Sequence, residues 1–269
     1  MSCAVCVTTF AQTQVAKDSV PTQESKSFYE NTKSIAETTV GIIKSAAVGV
    51  EYRLKAGIAV GGTSPLPVPE EIRGLNSFNP GLNLSIEGEV VKLFDNTYGL
   101  AFGLRLESKG METDARVKGY QITLDQDDQQ IAGYFWGNVK TKVDNAYLTL
   151  PVLAVWKPAD RWAVRGGLYG SYAFRRNFSG LAYNGYLREG DPTGTYVEIG
   201  ESNGLYDFSD QVRHWFWGAR VGGEWQAFTH LLVGADLTWG LNSIFPKDFE
   251  AIAFKMFPIY GTLSFGYRF

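Results

Sequence analysis

Only two histidines are present in the 269 residues, so hydrolytic chemistry has few places to reside. Asp207, Ser209 and Asp210 stand shortly before His214. A hydroxyl, an imidazole and a carboxylate are the parts of a nucleophile relay, in which the imidazole takes the hydroxyl proton and the carboxylate orients the ring. Such a relay is defined by geometry, and a sequence cluster only nominates it. His230 has no nearby Ser or Cys and reads as a solvated turn residue. Cation binding is the second chemistry to consider. Residues 176–211 carry Glu189, Asp191, Glu198, Glu201, Asp207 and Asp210 against Arg176 and Arg188. Carboxylates suit a hard cation, but a charged exposed loop is ordinarily just solvated. Asp125-Gln126-Asp127-Asp128 lacks the Gly and distal Glu of a calcium loop and reads as a hairpin tip. Gly-x-Ser-x-Gly, a P-loop and His-Glu-x-x-His are all missing. The expectation is of no catalytic, cofactor or metal site.

The elements around these residues follow a period of two. In the last segment Phe257, Ile259, Leu263, Phe265, Tyr267 and Phe269 alternate with Thr262, Ser264 and Arg268. The same alternation recurs elsewhere and predicts eight strands at about 50–62, 81–92, 98–111, 143–156, 162–175, 212–225, 231–241 and 256–269. Links at 93–97, 157–161 and 226–230 are short, whereas 63–80, 112–142, 176–211 and 242–255 are long. Within 112–142, Val117, Ile122 and Leu124 alternate with polar neighbours, so that hairpin continues beyond the expected strands before turning at 125–130.

One face of these strands is aliphatic and aromatic. The other holds Arg53, Lys55, Glu87, Glu89, Arg105, Glu107, Arg165, Arg220, Glu224, Asp236 and Arg268. In an eight-stranded barrel closed within lipid those charges point inward, where the interior is only wide enough for side chains and opposite charges pair. Short turns on one rim and long loops on the other fit such a barrel. Phe94, Tyr98, Trp156, Trp162, Trp225, Tyr267 and Phe269 gather near the short turns as an interfacial belt. No run of about eighteen apolar residues exists for a spanning helix. With 25 basic and 28 acidic residues the chain has no cationic excess for nucleic acid.

The closing segment, Tyr260-Gly261-Thr262-Leu263-Ser264-Phe265-Gly266-Tyr267-Arg268-Phe269, resembles the last strand of an outer-membrane protein. That resemblance implies that Phe265, Tyr267 and Phe269 form the signal read by the barrel assembly machinery. Asn79-Pro80-Gly81-Leu82-Asn83, then Leu104–Gly110 and Tyr147–Pro151, is similar to the PorT-like outer-membrane barrels of the Bacteroidota. This likeness covers about residues 48–269. It implies an all-β, eight-stranded antiparallel transmembrane barrel in the bacterial outer membrane with both termini periplasmic. Some members of that family are linked to a secretion system and many have no known role.

Residues 1–11 read as the remnant of a secretory signal, with a start codon upstream because no basic segment precedes the apolar stretch. Residues 12–47 read as a helical periplasmic extension, with Ser27 to Glu30 as a capping box, and lie outside the likeness. Three function classes follow. The first is a non-enzymatic barrel that anchors or assists a larger secretion, transport or barrel-assembly complex, with the N-terminal helix and long loops as contact surfaces. The second is a small pore, and the third a lipid-modifying or proteolytic enzyme around His214, although the His-x-Ser-Asn pattern of lipid A deacylase barrels is missing.

Overall fold

The computed structural model describes residues 49–126, 129–201, 204–249, 251–252 and 254–269. The expected signal remnant and helical extension, residues 1–47, lie outside the described residues. Twelve strands are described: β1 (Val50–Pro65), β2 (Ile72–Asn79), β3 (Asn83–Leu93), β4 (Tyr98–Gln126), β5 (Gln129–Ala159), β6 (Trp162–Arg175), β7 (Phe178–Glu189), β8 (Tyr196–Ile199), β9 (Gly204–Asp207), β10 (Trp215–Gln226), β11 (Leu231–Gly240) and β12 (Met256–Arg268). Eight of them close a ring in the order β1, β3, β4, β5, β6, β10, β11, β12 and back to β1, every pair antiparallel. The all-β, eight-stranded antiparallel barrel read from the period-two pattern is the fold observed.

The ring is coated with apolar side chains. Leu54, Ile58, Leu104, Leu106, Leu168, Val221, Leu263 and Phe265 are each about half exposed, while their neighbours along the strand are buried or half-buried. Such a coat is unfavourable in water and suits hydrocarbon. The belt residues Phe94, Tyr98, Trp156, Trp162, Trp225, Tyr267 and Phe269 are all exposed near the short turns, with Trp162 stacked on Trp225 at 6.2 Å. A second girdle, absent from the sequence reading, includes Trp215, Trp217, Trp239 and Phe174. Trp215 and Trp225 on β10 are about 33 Å apart along the strand at ~3.3 Å per residue, or roughly 25 Å of depth at a 40° tilt. That depth matches an outer-membrane hydrocarbon band of about 25 Å.

The long connections are not solvated loops. β4 and β5 run 29 and 31 residues and pair continuously up to Gln126 opposite Gln129, so the segment 112–142 is strand nearly throughout. Val117 and Ile122 lie at positions of opposite parity and could not share a face of a regular strand. A register shift between Lys118 and Tyr120, with Gly119 at φ +65°, adds one residue there. Below it the buried positions of β4 are odd, from Ala101 to Val117; above it they are even, at Tyr120, Ile122 and Leu124. Glycine is what allows the positive φ of this bulge. On the flanks β2 pairs upper β4, β7 pairs upper β5, β8 pairs β7, and β9 pairs β7 and the tip of β4. The segment 176–211, expected as an acidic loop, thereby becomes part of a folded cap.

Candidate functional site

The barrel interior is layered. Nearest the short turns, Val91, Ala101, Leu153, Val155 and Ala163 pack into a small apolar layer. Leu153 and Val155 of β5 are buried in it at 1% and 2% exposure.

Above it lies the charged layer. Ten of the eleven expected charges are buried, from Arg53 and Lys55 on β1 to Asp236 on β11. Arg220 on β10 holds Glu87 on β3 with two bonds, 2.7 and 2.9 Å, and those strands stand opposite each other across the ring. Arg165 on β6 reaches Glu89 on β3 at 2.8 Å and Asp236 on β11 at 3.2 Å. Arg53 on β1 meets Glu224 on β10 at 2.5 Å. Lys55 pairs with Glu89 and, at 2.9 Å, with Glu224. Arg105 contacts Glu107 at 3.0 Å and donates to Thr262 Oγ1 on β12 at 3.0 Å. Small inward residues make room for these long side chains: a Cβ on Gly266 would stand 2.8 Å from Lys55 Cγ. The eleventh residue, Arg268, is at the short-turn rim, partly exposed, donating to the Thr229 carbonyl at 3.0 Å. It is a rim residue and not a lumen one, because β12 ends there.

Lys109 was missed, although it shares the parity of Arg105 and Glu107. It is buried, pairs with Glu107 at 2.9 Å, and lies 5.4 to 5.7 Å from the rings of Tyr147, Tyr169 and Tyr260. Among the described residues the lumen then buries six cations against five carboxylates. The three aromatic faces stabilise the excess cation.

Over this lid the cap has its own apolar core. Val117, Ile122, Leu124, Phe135, Phe178, Leu187, Phe208, Phe216, Ile244 and Phe245 are buried in one cluster. Phe178, Phe245 and Phe249 interlock, at 4.9 Å edge to face and 4.3 Å stacked. Ile244, Phe245 and Ile252 come from the link 242–255, among whose described residues there is no strand. On the outside of the cap Trp136 stacks on Tyr186 at 5.2 Å and Tyr186 on Tyr196 at 5.1 Å, an aromatic ladder across β5, β7 and β8. Arg73, Arg116 and Lys118 share a shallow depression with Trp136 and Tyr186.

The nominated relay does not assemble. His214 Nδ1 lies 3.1 Å from the Ala173 carbonyl and its ring stacks on Tyr172 at 5.4 Å. Ser209 donates to Asp207 Oδ1 at 2.5 Å and accepts from the Phe178 N–H at 3.1 Å, which makes it a turn-forming residue. His230 packs on Tyr267 with Nδ1 2.8 Å from the Arg268 carbonyl. Among the described residues no three acidic, His or Cys side chains converge as a metal site. Asp191 instead caps its own turn through Thr193. Phe265, Tyr267 and Phe269, expected as an assembly signal, face outward, and the Phe269 N–H donates to the Tyr52 carbonyl at 3.0 Å.

The family described as "Outer membrane protein beta-barrel domain" matches residues 25–246, which includes part of the N-terminal extension that the PorT likeness left out. No curated protein sequence matches the chain. Among solved structures, Ail, the attachment invasion locus protein of Yersinia pestis, in complex with the heparin analogue sucrose octasulfate, is 10% identical with a TM-score of 0.37, covering 82% of this chain and 100% of that one. The outer membrane protein OprG of Pseudomonas aeruginosa is 12% identical at 0.31, covering 81% and 95%. The toluene transporter TodX of Pseudomonas putida is 8% identical at 0.24, covering 82% and 89%.

Proposed function

Because the chain belongs to the outer membrane protein β-barrel domain family, and so to the bacterial outer membrane, we propose that it is a non-enzymatic anchor whose cap is its working surface. In this reading it is an accessory subunit of a larger outer-membrane assembly for secretion, transport or barrel assembly, with both termini periplasmic and the cap outside the cell. The PorT likeness agrees with such a role without specifying the partner. The observation that carries the reading is the bidentate Arg220–Glu87 pair across the ring, reinforced by Arg165 and Arg53. A lumen of eight strands filled in this way leaves no water column, which argues against the pore. The contacts of His214 with Ala173 and Tyr172 argue against the hydrolase.

The favoured contact face is the Trp136–Tyr186–Tyr196 ladder beside Arg116 and Lys118, since Trp, Tyr and Arg dominate the energetics of protein interfaces. Purification from native outer membranes in mild detergent, with sizing and mass spectrometry, tests the reading. Stoichiometric partners that are lost in a Trp136→Ala, Tyr186→Ala variant support it. A lone wild-type monomer contradicts it.

A further inference from the structure

The ladder between β1 and β3 ends at Ala59 opposite Asn83, while β1 continues along β12 as far as Pro65 opposite Met256. β3 therefore leaves the ring early, and the upper edge of β4 that it vacates is taken by β2, paired from Asn79 with Glu112 to Ile72 with Val117. Among the described residues no ladder joins Val60–Pro65 to β2. Across this gap the Thr63 N–H finds the Met111 sulfur at 3.2 Å, a weak acceptor in place of a strand partner.

The gap holds a cavity of about 480 Å³. Its outer end is formed by exposed Val68, Leu75 and Phe78, its inner end by buried Val117, Tyr120 and Phe178. Among the described residues no charged side chain lines it. Of the polar groups that do, Thr141 is engaged with the Tyr206 hydroxyl at 2.6 Å and Ser64 donates to the Pro65 carbonyl at 3.3 Å. Just below the mouth, exposed Val60 and Leu82 continue the apolar coat of the barrel upward, one step beyond the last β1–β3 pair. Among the described residues a path without charge thus runs from the lipid-facing wall into the cap.

We infer that this slot binds a hydrocarbon chain drawn from the membrane, as the acyl chain of a lipid or of a free fatty acid. The volume falls in the range of about 300–1,000 Å³ typical of small-ligand sites, and an apolar lining with one open flank suits a flexible chain entering lengthwise. A charged headgroup finds no counter-charge inside and stays at the mouth. Gly62 is at the waist, where an added Cβ would stand 2.7 Å from Met111 Sδ and 3.2 Å from Phe78.

The test places the full chain in phospholipid vesicles that contain either palmitic acid with a terminal diazirine or a phosphatidylethanolamine with the diazirine on one acyl chain. After illumination the labelled peptides are mapped. The expected result is label at Val117, Tyr120 or Phe178 in one or both arms, the labelled arm identifying the source. Gly62→Leu and Ala115→Phe, which fill the slot from two strands, should each reduce that label by about tenfold or more. A heat-modifiable gel shift shows that each variant is a closed barrel. Label confined to outward residues such as Leu104 and Leu106, or slot label unchanged in both folded variants, would overturn the proposal.

Discussion

Two cores stacked in one chain are built on opposite rules. In the barrel the charges are inside and the apolar side chains outside; in the cap Phe135, Phe178 and Phe245 are inside while Lys140, Arg116 and Glu198 face out. Both halves nevertheless share β4 and β5, continuous across the boundary. What differs is the solvent. Hydrocarbon rewards an apolar coat and forces polar groups to satisfy one another within the lumen, whereas water rewards the reverse. Lys109 beneath its three tyrosines marks the boundary, with Met111 of the cap core two residues on.

The largest test of this contrast removes a hub from each core. Arg165→Ala strips Glu89, Glu224 and Asp236 of a shared cation and should cost about 3–5 kcal/mol of barrel stability in urea unfolding from vesicles. Phe245→Ala should cost a comparable ~3–5 kcal/mol, confined to the cap: protease should cut there while the gel shift of the barrel persists. If Phe245→Ala melted both regions together, they would be one cooperative unit. The sharpest pair comes next. Leu263 on the barrel and Leu205 on the cap are 54% and 59% exposed. Leu263→Arg should impair insertion by about 2–4 kcal/mol, and Leu205→Arg should stay within about 0.5 kcal/mol. Equal costs would erase the distinction between the two solvents. Gly119→Ala, which forces a side chain into φ +65°, should destabilise the upper β4–β5 hairpin by about 1–2 kcal/mol, seen as faster amide exchange above residue 117 only.

The smallest effect is at the short-turn rim. The N–H groups of Tyr98 and Thr97 hold the Asp95 carboxyl below the usual carboxylate range. A carboxylate depressed in the folded state keeps its turn bonds above its ordinary value and loses them as pH falls through the depressed one. Amide protection at Tyr98 should therefore persist at mildly acidic pH and fail only below the usual aspartate range, while Asp95→Ala should lack it throughout.

The barrel was legible in the sequence because hydrocarbon imposes a strict alternation, and parity alone sorted Arg53, Glu87 and Arg220 from Leu54, Ile86 and Val221. Lys109 followed the same parity and escaped because no aromatic partner is near it in sequence. Of the cap, only the continued β4–β5 hairpin was legible. The cap's core gathers Phe178 and Phe208 from one long connection and Ile244 and Ile252 from another, neither with a sustained period of two, and the Gly119 bulge breaks the period where β4 crosses into it. His214 illustrates the converse: a promising neighbourhood in sequence becomes a ring stacked on Tyr172 once the chain folds.

If the lumen is shut by its own ion pairs and the protein acts through its cap, the barrel carries no current. Recording from the purified full chain in a planar lipid bilayer measures this. No unitary current steps are expected in the wild type; reproducible steps would mean that the Arg220–Glu87 bridge does not close the barrel and that the lumen conducts.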